Sequence, residues 1–164
     1  MKKASQSPQE GRDISIEAAD KNALPAILSL LERNELPKES LTDHLSTTLV
    51  AREERQIVGS AALELYGKAA LLRSVVVEET LRGQGLGHRL THAALDLAIR
   101  HEVATVYLLT MTAEKFFSRL GFHETPRSEV PTEVQRSVEF ASACPVTATV
   151  MIMHLNDTKR KAGR

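Results

Sequence analysis

The sequence contains a single cysteine, Cys144, among its 164 residues, and it has no long hydrophobic run. One cysteine cannot form an internal disulfide bond. Neither the hydrophobic region of a signal peptide nor a segment long enough to span a bilayer is present. These absences exclude disulfide-rich secreted proteins and membrane-spanning proteins, and they predict a soluble cytoplasmic protein.

An excess of charge of either sign is also absent. The chain has 21 Lys and Arg residues against 21 Asp and Glu residues, so its formal net charge is zero. Nothing in this balance favours nucleic acid or an anionic membrane as a partner, and a charged ligand must be bound by a local site. The short basic run at residues 159–161 is expected to be solvated.

Metal-binding patterns and internal repeats are lacking as well. His88 and His92 are four residues apart but lack the glutamate of the zinc motif His-Glu-x-x-His, so we expect both on the surface.

Residues 1–12 are polar and aperiodic, which predicts a disordered leader. Residues 13–156 suffice for one domain with a substantial core, and residues 157–164 form a basic tail. The oligomeric state stays open between a monomer and a homodimer.

What the sequence does contain is an alternation of strand and helix patterns. Gly67 and Lys68 are predicted to form a hairpin turn, Thr112 to cap a helix and Gly121 to end it. The helix that begins at residue 86 connects two strands, and strands joined by a full helix are expected to be parallel. The apolar stripe of this helix should pack on the sheet. The stripe consists of Leu86, Leu90, Ala93, Ala94 and Leu97. Strands are predicted at residues 14–16, 47–52, 56–66, 69–77, 103–109 and 148–155, and further helices at residues 23–31, 37–44, 113–120 and 131–140. The pattern predicts an α+β, or mixed α/β, domain with a central, mostly antiparallel sheet flanked by helices.

The most informative stretch joins the strand at residues 69–77 to the helix that follows. It contains three glycines within five residues, Gly83, Gly85 and Gly87, directly before the helix. Glycines let the backbone approach a ligand, and a helix N-terminus presents unpaired N–H groups to an anion. The spacing fits neither a P-loop, which needs Lys-Ser or Lys-Thr after its last glycine, nor the dinucleotide pattern Gly-x-Gly-x-x-Gly. For the loop alone, a turn without a ligand remains the alternative.

Two motifs at a suitable separation point to one family. Arg82, Gly85 and Gly87 fit the pattern Gln/Arg-x-x-Gly-x-Gly/Ala, which resembles the acetyl-CoA pyrophosphate loop of the GNAT N-acetyltransferases. Residues 113–122, Ala-Glu-Lys-Phe-Phe-Ser-Arg-Leu-Gly-Phe, resemble that family's Ala-x-x-Phe-Tyr-x-x-x-Gly-Phe segment. More narrowly, residues 71–75, 116–122 and 139–145 resemble the GNAT proteins encoded in arsenic-resistance operons.

The resemblance implies a GNAT-like acyl-CoA N-acyltransferase fold and transfer of an acetyl group from acetyl-CoA, as co-substrate, to an amine. In that family the strand before the loop separates from the next strand, which leaves its backbone groups to bind the pantetheine arm. The loop would then supply N–H groups to the pyrophosphate. The cofactor-binding residues that the resemblance implies are Val75, Val76, Val77, Arg82, Gly83, Gln84, Gly85, Leu86, Gly87 and His88.

One departure from the family pattern affects the mechanism. Many GNAT enzymes have a tyrosine that can protonate the departing CoA thiolate, and the matching position here is Phe117, whose ring donates no proton. Either water or another residue protonates the thiolate, or the reaction does not need this protonation. A second class of function therefore stays open, namely a catalytically degenerate CoA-binding sensor or interaction module.

The acceptor site is predicted from the hairpin register. If residues 67 and 68 form the turn, Tyr66 pairs with Ala69, and Glu64 and Arg73 are diagonal neighbours on one sheet face. One interpretation is a structural ion pair. The other makes Glu64 the catalytic base, while Arg73, with Ser74 beside it, binds an anionic group of a small, amino acid-like amine. Cys144 is more typical of a buried apolar residue than of a nucleophile.

Overall fold

The computed structural model describes residues 13–143 and 145–155. The predicted leader, the basic tail and Cys144 lie outside these described residues. Among the described helices, none is long and apolar enough to cross a membrane. The strands are β1 Ile14–Ala18, β2 Thr48–Glu53, β3 Gln56–Tyr66, β4 Ala69–Val77, β5 Thr105–Thr110, β6 His123–Glu124 and β7 Thr149–His154, and the α-helices are α1 Leu24–Arg33, α2 Leu86–Arg100, α3 Glu114–Arg119 and α4 Thr132–Gln135.

The strands form one seven-stranded sheet in the order β1-β2-β3-β4-β5-β7-β6. Neighbours are antiparallel except β4 and β5, which are parallel because α2 carries the chain across between them. The predicted mixed α/β class and mostly antiparallel sheet are therefore confirmed.

The hairpin between β3 and β4 has the predicted register. Tyr66 pairs with Ala69 and Glu64 with Leu71, and Gly67 has a φ of +66° in the turn. Further along β4, the residues between Arg73 and Val76 outnumber those opposite them on β3, which defines a bulge. Bulges bend the strand that contains them and increase its twist.

The strands β4 and β5 separate where this bulge begins. The two strands pair only from Ala69 with Thr105 to Leu72 with Leu108, although β4 continues to Val77. Ser74 lies at the bulge with a φ of 58°, in the left-handed region that non-glycine residues seldom occupy. The separation leaves an opening between the two strands at their carboxyl ends.

Helices cover both faces of the sheet. On one face Ile27 and Leu30 of α1 pack in a cluster that includes Val76, and on the other Leu86 and Leu90 of α2 pack in the main core. Ala94 completes the buried part of the predicted α2 stripe, whereas the stripe's remaining two members, Ala93 and Leu97, are only half-buried. Thr91, Leu95 and Ala98 are buried as well. The buried face of α2 therefore differs from the predicted stripe, because the helix packs on a twisted sheet.

Two predicted helices are shorter or displaced. The one expected at residues 37–44 is a 3₁₀ segment at Leu41–Thr47. The one expected at residues 131–140 divides into α4 and a separate turn at Glu139–Ala143. The Ser137 hydroxyl accepts the Glu139 N–H at 3.2 Å, and such side-chain bonds compete with a continuous helix.

The helix α3 begins differently from the prediction. Thr112 does not cap it; the Thr110 hydroxyl at the end of β5 accepts the Ala113 N–H at 2.9 Å instead. Gly121 does end the helical segment, with a φ of +107°, and the Phe122 N–H returns to the Phe117 carbonyl at 3.1 Å.

This difference gives a test of the helix start. Replacing Thr110 by Val keeps the side-chain shape but removes the acceptor, so the free energy of unfolding should fall by about 1 kcal/mol. The matched change Thr112→Val, at an exposed position, should alter it by less than about 0.5 kcal/mol. Urea denaturation of both variants measures the difference, and equal losses would contradict a stabilising role of the Thr110 hydroxyl at the start of α3.

Candidate active site

A cleft of about 780 Å³ occupies the opening between β4 and β5. One wall is the bent part of β4 and the other is the end of β5 with the loop after it. The remaining wall residues come from the segment after α1, from Arg82 and Phe117, and from the C-terminal segment. The residues that line the whole cleft are Asn34, Glu35, Leu36, Pro37, Glu39, Leu72 to Val77, Arg82, Leu108 to Ala113, Phe117, Glu139, Pro145 and Ala148. A more open groove of about 910 Å³ beside α1 and the β2–β3 turn includes none of the predicted site residues.

The glycine loop lies where β4 leaves the cleft. Gly83 and Gly85 have φ values of +80° and +86°, a conformation in which a side chain would be strained. Gly85 is the residue before α2, and the 15-residue helix begins at Leu86. The first N–H groups of α2 therefore have no acceptor within the helix, and with the helix dipole they form an anion-binding end.

The third glycine, Gly87, is required by packing and not by backbone conformation. A Cβ atom on Gly87 would lie 3.2 Å from the Phe116 ring, and its φ is not positive. His88 also packs edge-on against Phe116, with ring centroids 5.5 Å apart. Leu86 is buried in the core. Gly87 therefore allows α2 and α3 to pack closely, and in Leu86 only the backbone can face a ligand.

Arg82 connects the glycine loop to the far wall of the cleft. Its Nε donates to the Val77 carbonyl at 3.2 Å, and its Nη2 donates to the Asn34 side-chain oxygen. Arg33, at the end of α1, forms a two-point ion pair with Glu78, with N–O distances of 3.1 and 3.4 Å. The end of α1 is thus attached to the segment that precedes the glycines.

The backbone of β4 is available along the cleft. Val76 and Val77 pair with β3 on one side, but the register with β5 ends at Leu72 on the other. Within the described residues, the edge of β4 that faces the cleft therefore has no strand partner from Arg73 onward. A strand edge without a neighbouring strand can bind an extended ligand through its backbone groups.

A buried charge cluster forms the floor of the cleft. The Arg73 side chain has no exposed surface, and its Nη1 donates to Glu64 Oε2 at 2.8 Å. Its Nε donates to the Ser74 hydroxyl at 3.1 Å and lies 2.9 Å from Glu139 Oε2. The predicted neighbours Glu64, Arg73 and Ser74 are therefore together, and Glu139 joins them.

The same guanidinium holds the segment after α1. Nη1 of Arg73 donates to the Glu39 carbonyl at 2.8 Å, and Nη2 donates to the Pro37 carbonyl at 3.3 Å. Glu35 and Ser40, at the two ends of this segment, have φ values of 57° and 63°. The two carbonyl contacts offset the unfavourable backbone conformation and fix the wall.

Glu64 lies behind Arg73, and it is not part of the cleft wall. Burial acts to raise its pKa, but hydrogen bonds from Ser137, Tyr66 and Arg73, together with the nearby charge of His44, outweigh burial and lower that pKa. Burial and the bond to Glu64 raise the pKa of Tyr66 to about 12, so Tyr66 remains a donor. Glu64 is therefore an ionised, well-partnered carboxylate at neutral pH, and a weaker base than a free glutamate.

Two features of the site were not predicted. Glu139 is part of a stretch that resembles one group of GNAT proteins, and residues 37–39 are part of a predicted helix, but the sequence places neither beside Arg73. Both lie near Arg73 because the chain reverses after α1 and because the C-terminal segment returns to the cleft. Local sequence periodicity predicts neither of these chain paths. Phe117 occupies the expected place, buried in the cleft wall, with its ring 4.9 Å from that of Phe116.

Comparisons with known proteins agree with this architecture. The family described as the acetyltransferase (GNAT) domain matches residues 44–124. An uncharacterized N-acetyltransferase of Chlorobaculum tepidum is 30% identical over 108 residues, which cover 65% of this chain and 67% of that protein. An amino-acid acetyltransferase of Mycobacterium tuberculosis is 34% identical over 80 residues, which cover 48% of this chain and 45% of that protein.

A solved structure supports the fold. N-acetylglutamate synthase from Neisseria gonorrhoeae, complexed with coenzyme A and N-acetyl-glutamate, has a TM-score of 0.76 at 19% identity. The similarity covers 89% of this chain but 36% of that one, so this chain spans about a third of the synthase's length. The family match and the extent of the Chlorobaculum similarity show that the chain belongs to the GNAT family of N-acetyltransferases.

Proposed function

We propose that this protein transfers the acetyl group of acetyl-CoA to the amine of a small acceptor that also carries an anionic group, such as an amino acid. The observation that carries this proposal is one cleft with two complementary ends. The helix α2 begins after the carboxyl end of β4, and the Arg73 cluster lies at the middle of that strand. The residues between them span roughly 13 Å of strand, since each strand residue advances about 3.3 Å.

The cofactor end fits a pyrophosphate with an extended arm. The amide groups after Gly83 and Gly85 supply local positive potential in a protein of zero net charge. Arg82 adds a guanidinium beside the cleft, and the unpartnered edge of β4 suits the amides of a pantetheine arm. In this arrangement the thioester lies near the Arg73 end, where the acceptor binds.

Two similar proteins support an amino acid-like acceptor. One is named an amino-acid acetyltransferase, and the other is a synthase complexed with N-acetyl-glutamate. An amine that also carries a carboxylate or an arsonate-like oxyanion matches the same cleft, so the link to arsenic resistance remains a prediction about the acceptor.

The floor of the cleft supports separate roles for its members. Arg73 supplies the positive charge toward the acceptor's anionic group, with Ser74 beside it. An anion would replace the longest Arg73 contact, the 3.3 Å bond to the Pro37 carbonyl. The base role predicted for Glu64 has less support than the ion-pair role, because its carboxylate is buried and already accepts from Arg73 and Tyr66. We propose that Glu64 orients Arg73.

Phe117 favours a second candidate, a module that binds CoA without turnover. Its ring lines the cleft where the family often places a tyrosine, and it cannot protonate a thiolate. Stabilisation by CoA, with no thiol release on addition of acetyl-CoA and any amine, would support this alternative.

The substrate proposal predicts a preference between matched amines. An amino acid should be acetylated with a kcat/KM at least tenfold above that of its carboxamide, because only the acid can pair with Arg73. Thiol release measured across amino acids, their amides, polyamines, aminoglycosides and amino-bearing arsenicals checks this. Equal or better turnover of amines without an anionic group would contradict the proposed acceptor class.

The cofactor assignment predicts a specific effect of Gly85→Ala. A Cβ at a φ of +86° shifts the loop, so acetyl-CoA should bind about tenfold more weakly, the loss expected for one phosphate contact. Gly67→Ala is the matched control, since Gly67 has a φ of +66° but lies in the β3–β4 hairpin. Calorimetry should show weaker binding for the first variant only, and equal affinities would exclude this loop from the cofactor site.

Replacing Glu64 by Gln separates its two roles. If Glu64 orients Arg73, the variant should lose roughly 3 kcal/mol of stability, with turnover per folded molecule nearly unchanged. Because its hydrogen-bond partners lower the pKa of Glu64, this contribution to stability is present above the ordinary pKa of a glutamate, and it is lost as the pH falls through the lowered pKa of Glu64. The stability difference should therefore shrink in acid. A hundredfold loss of turnover that recovers at high pH would instead identify Glu64 as the base.

A further inference from the structure

Ser60 is a buried hydroxyl in an apolar part of β3. Between Val58 and Leu63 it is the one residue with a polar side chain, and it has no exposed surface. Its hydroxyl donates to the backbone carbonyl of Ser74 on β4 at 2.7 Å. Burial of a hydroxyl is unfavourable without such a bond. Packing alone does not require the hydroxyl, because the next two residues of β3 are alanines.

The carbonyl that accepts this bond belongs to the bulge of β4. Ser74 and Val75 lie opposite a single residue of β3, Ala61, where the ladder between the two strands is interrupted. The φ of 58° at Ser74 is unfavourable and persists only where the surroundings hold it. The Ser74 hydroxyl accepts from Arg73 Nε at 3.1 Å, and its carbonyl accepts from Ser60. Both oxygen atoms of Ser74 are therefore held.

The bond to Ser60 also sets the direction of the peptide group between Ser74 and Val75. None of the described peptide bonds is cis, and a trans peptide directs its C=O and N–H groups to opposite sides. Ser74 and Val75 line the cleft, whereas Ser60 does not. The Ser74 carbonyl is thus directed at a group outside the cleft wall. Rotation of this peptide would turn the carbonyl oxygen, with its partial negative charge, toward the bound substrates.

The bulge lies between the two binding regions proposed for the cleft. Arg73, at the acceptor side, directly precedes Ser74, and the cofactor edge of β4 at residues 75–77 directly follows it. The position of the acceptor relative to the thioester therefore depends on the backbone conformation at Ser74. A displacement of about 1 Å between reacting groups can lower a rate about a hundredfold.

We propose that Ser60 is a positioning residue for acetyl transfer, an inference that rests on the proposed function. Its hydroxyl holds the bulge at Ser74, and the bulge sets the distance and orientation between an acceptor at Arg73 and a thioester on the cofactor edge of β4. Ser60 touches neither substrate. It therefore contributes to the turnover of bound substrates rather than to the affinity for either of them.

The test compares Ser60→Ala with Thr47→Val. Each change removes one buried hydroxyl that donates to a strand carbonyl, that of Ser74 for Ser60 and that of Leu63 for Thr47. Of these two acceptors, only Ser74 lies in the cleft wall. Both variants should melt at a lower temperature than the wild type, because each leaves a buried carbonyl without its hydroxyl donor. Only Ser60→Ala should also lose turnover.

The expected loss is in kcat. For Ser60→Ala, kcat per folded molecule should fall about tenfold or more, while the calorimetric affinity for acetyl-CoA and the KM for the amine change less than about threefold. Thr47→Val should keep the wild-type kcat. Ser60→Cys retains a weak donor, so its kcat should lie between those of the wild type and Ser60→Ala.

Wild-type kcat in Ser60→Ala, or an equal loss of kcat in Thr47→Val, would exclude a positioning role for Ser60 and leave the acetyl transfer intact. Weaker acetyl-CoA binding with unchanged kcat would also overturn the inference. If Ser60→Ala does not fold, Ser60→Cys decides in its place: a lower kcat with retained affinities supports the role, and wild-type kcat excludes it. Absence of thiol release by the wild type with any amine would remove both this inference and the proposed function.

Discussion

A buried guanidinium is the constraint on which the rest of the site depends. Arg73 has no exposed side-chain surface, and a charge in that position is stable only when it is paired and hydrogen-bonded. Glu64 on β3, two backbone carbonyls of the segment after α1, and Glu139 from the C-terminal segment supply the acceptors. Three distant parts of the chain therefore meet at one residue.

The same constraint explains the shape of the cleft. β4 leaves β5 after Leu72, where the bulge around Ser74 begins, so the strand that buries the charge also opens the space beside it. At the other end, Arg82 contacts Asn34 and Arg33 contacts Glu78. The segment at residues 34–39 is consequently held from the acceptor side by Arg73 and from the cofactor side by Arg82. The cleft wall at residues 34–39 is therefore held in place by residues from both proposed binding regions.

Zero net charge is compatible with binding a highly charged cofactor because the relevant fields are local. The N–H groups at the start of α2 act over about one turn of helix, and the Arg73 guanidinium acts over a few ångströms. Positive potential is therefore available at the glycine loop and at Arg73 although the formal net charge of the chain is zero.

The sequence by itself determined the features that depend on local geometry. Alternation and turn residues placed β3, the Gly67 turn and β4 in the correct register, and so placed Glu64 beside Arg73. The helix start at Leu86 also follows from local residue preferences. A short connection leaves the chain few alternatives, which is why these predictions are confirmed.

Only the tertiary structure decided what lies opposite Arg73. Glu139 is 66 residues further along the chain, and neither its neighbours nor those of Pro37 show a period that points to the cleft. Thr112 likewise does not cap α3: the N-cap residue is Ala113, and its N–H donates to the Thr110 hydroxyl at the end of β5. Contacts between distant segments are set by how helices and turns pack on a twisted sheet. That packing is a property of the whole core rather than of any stretch of sequence.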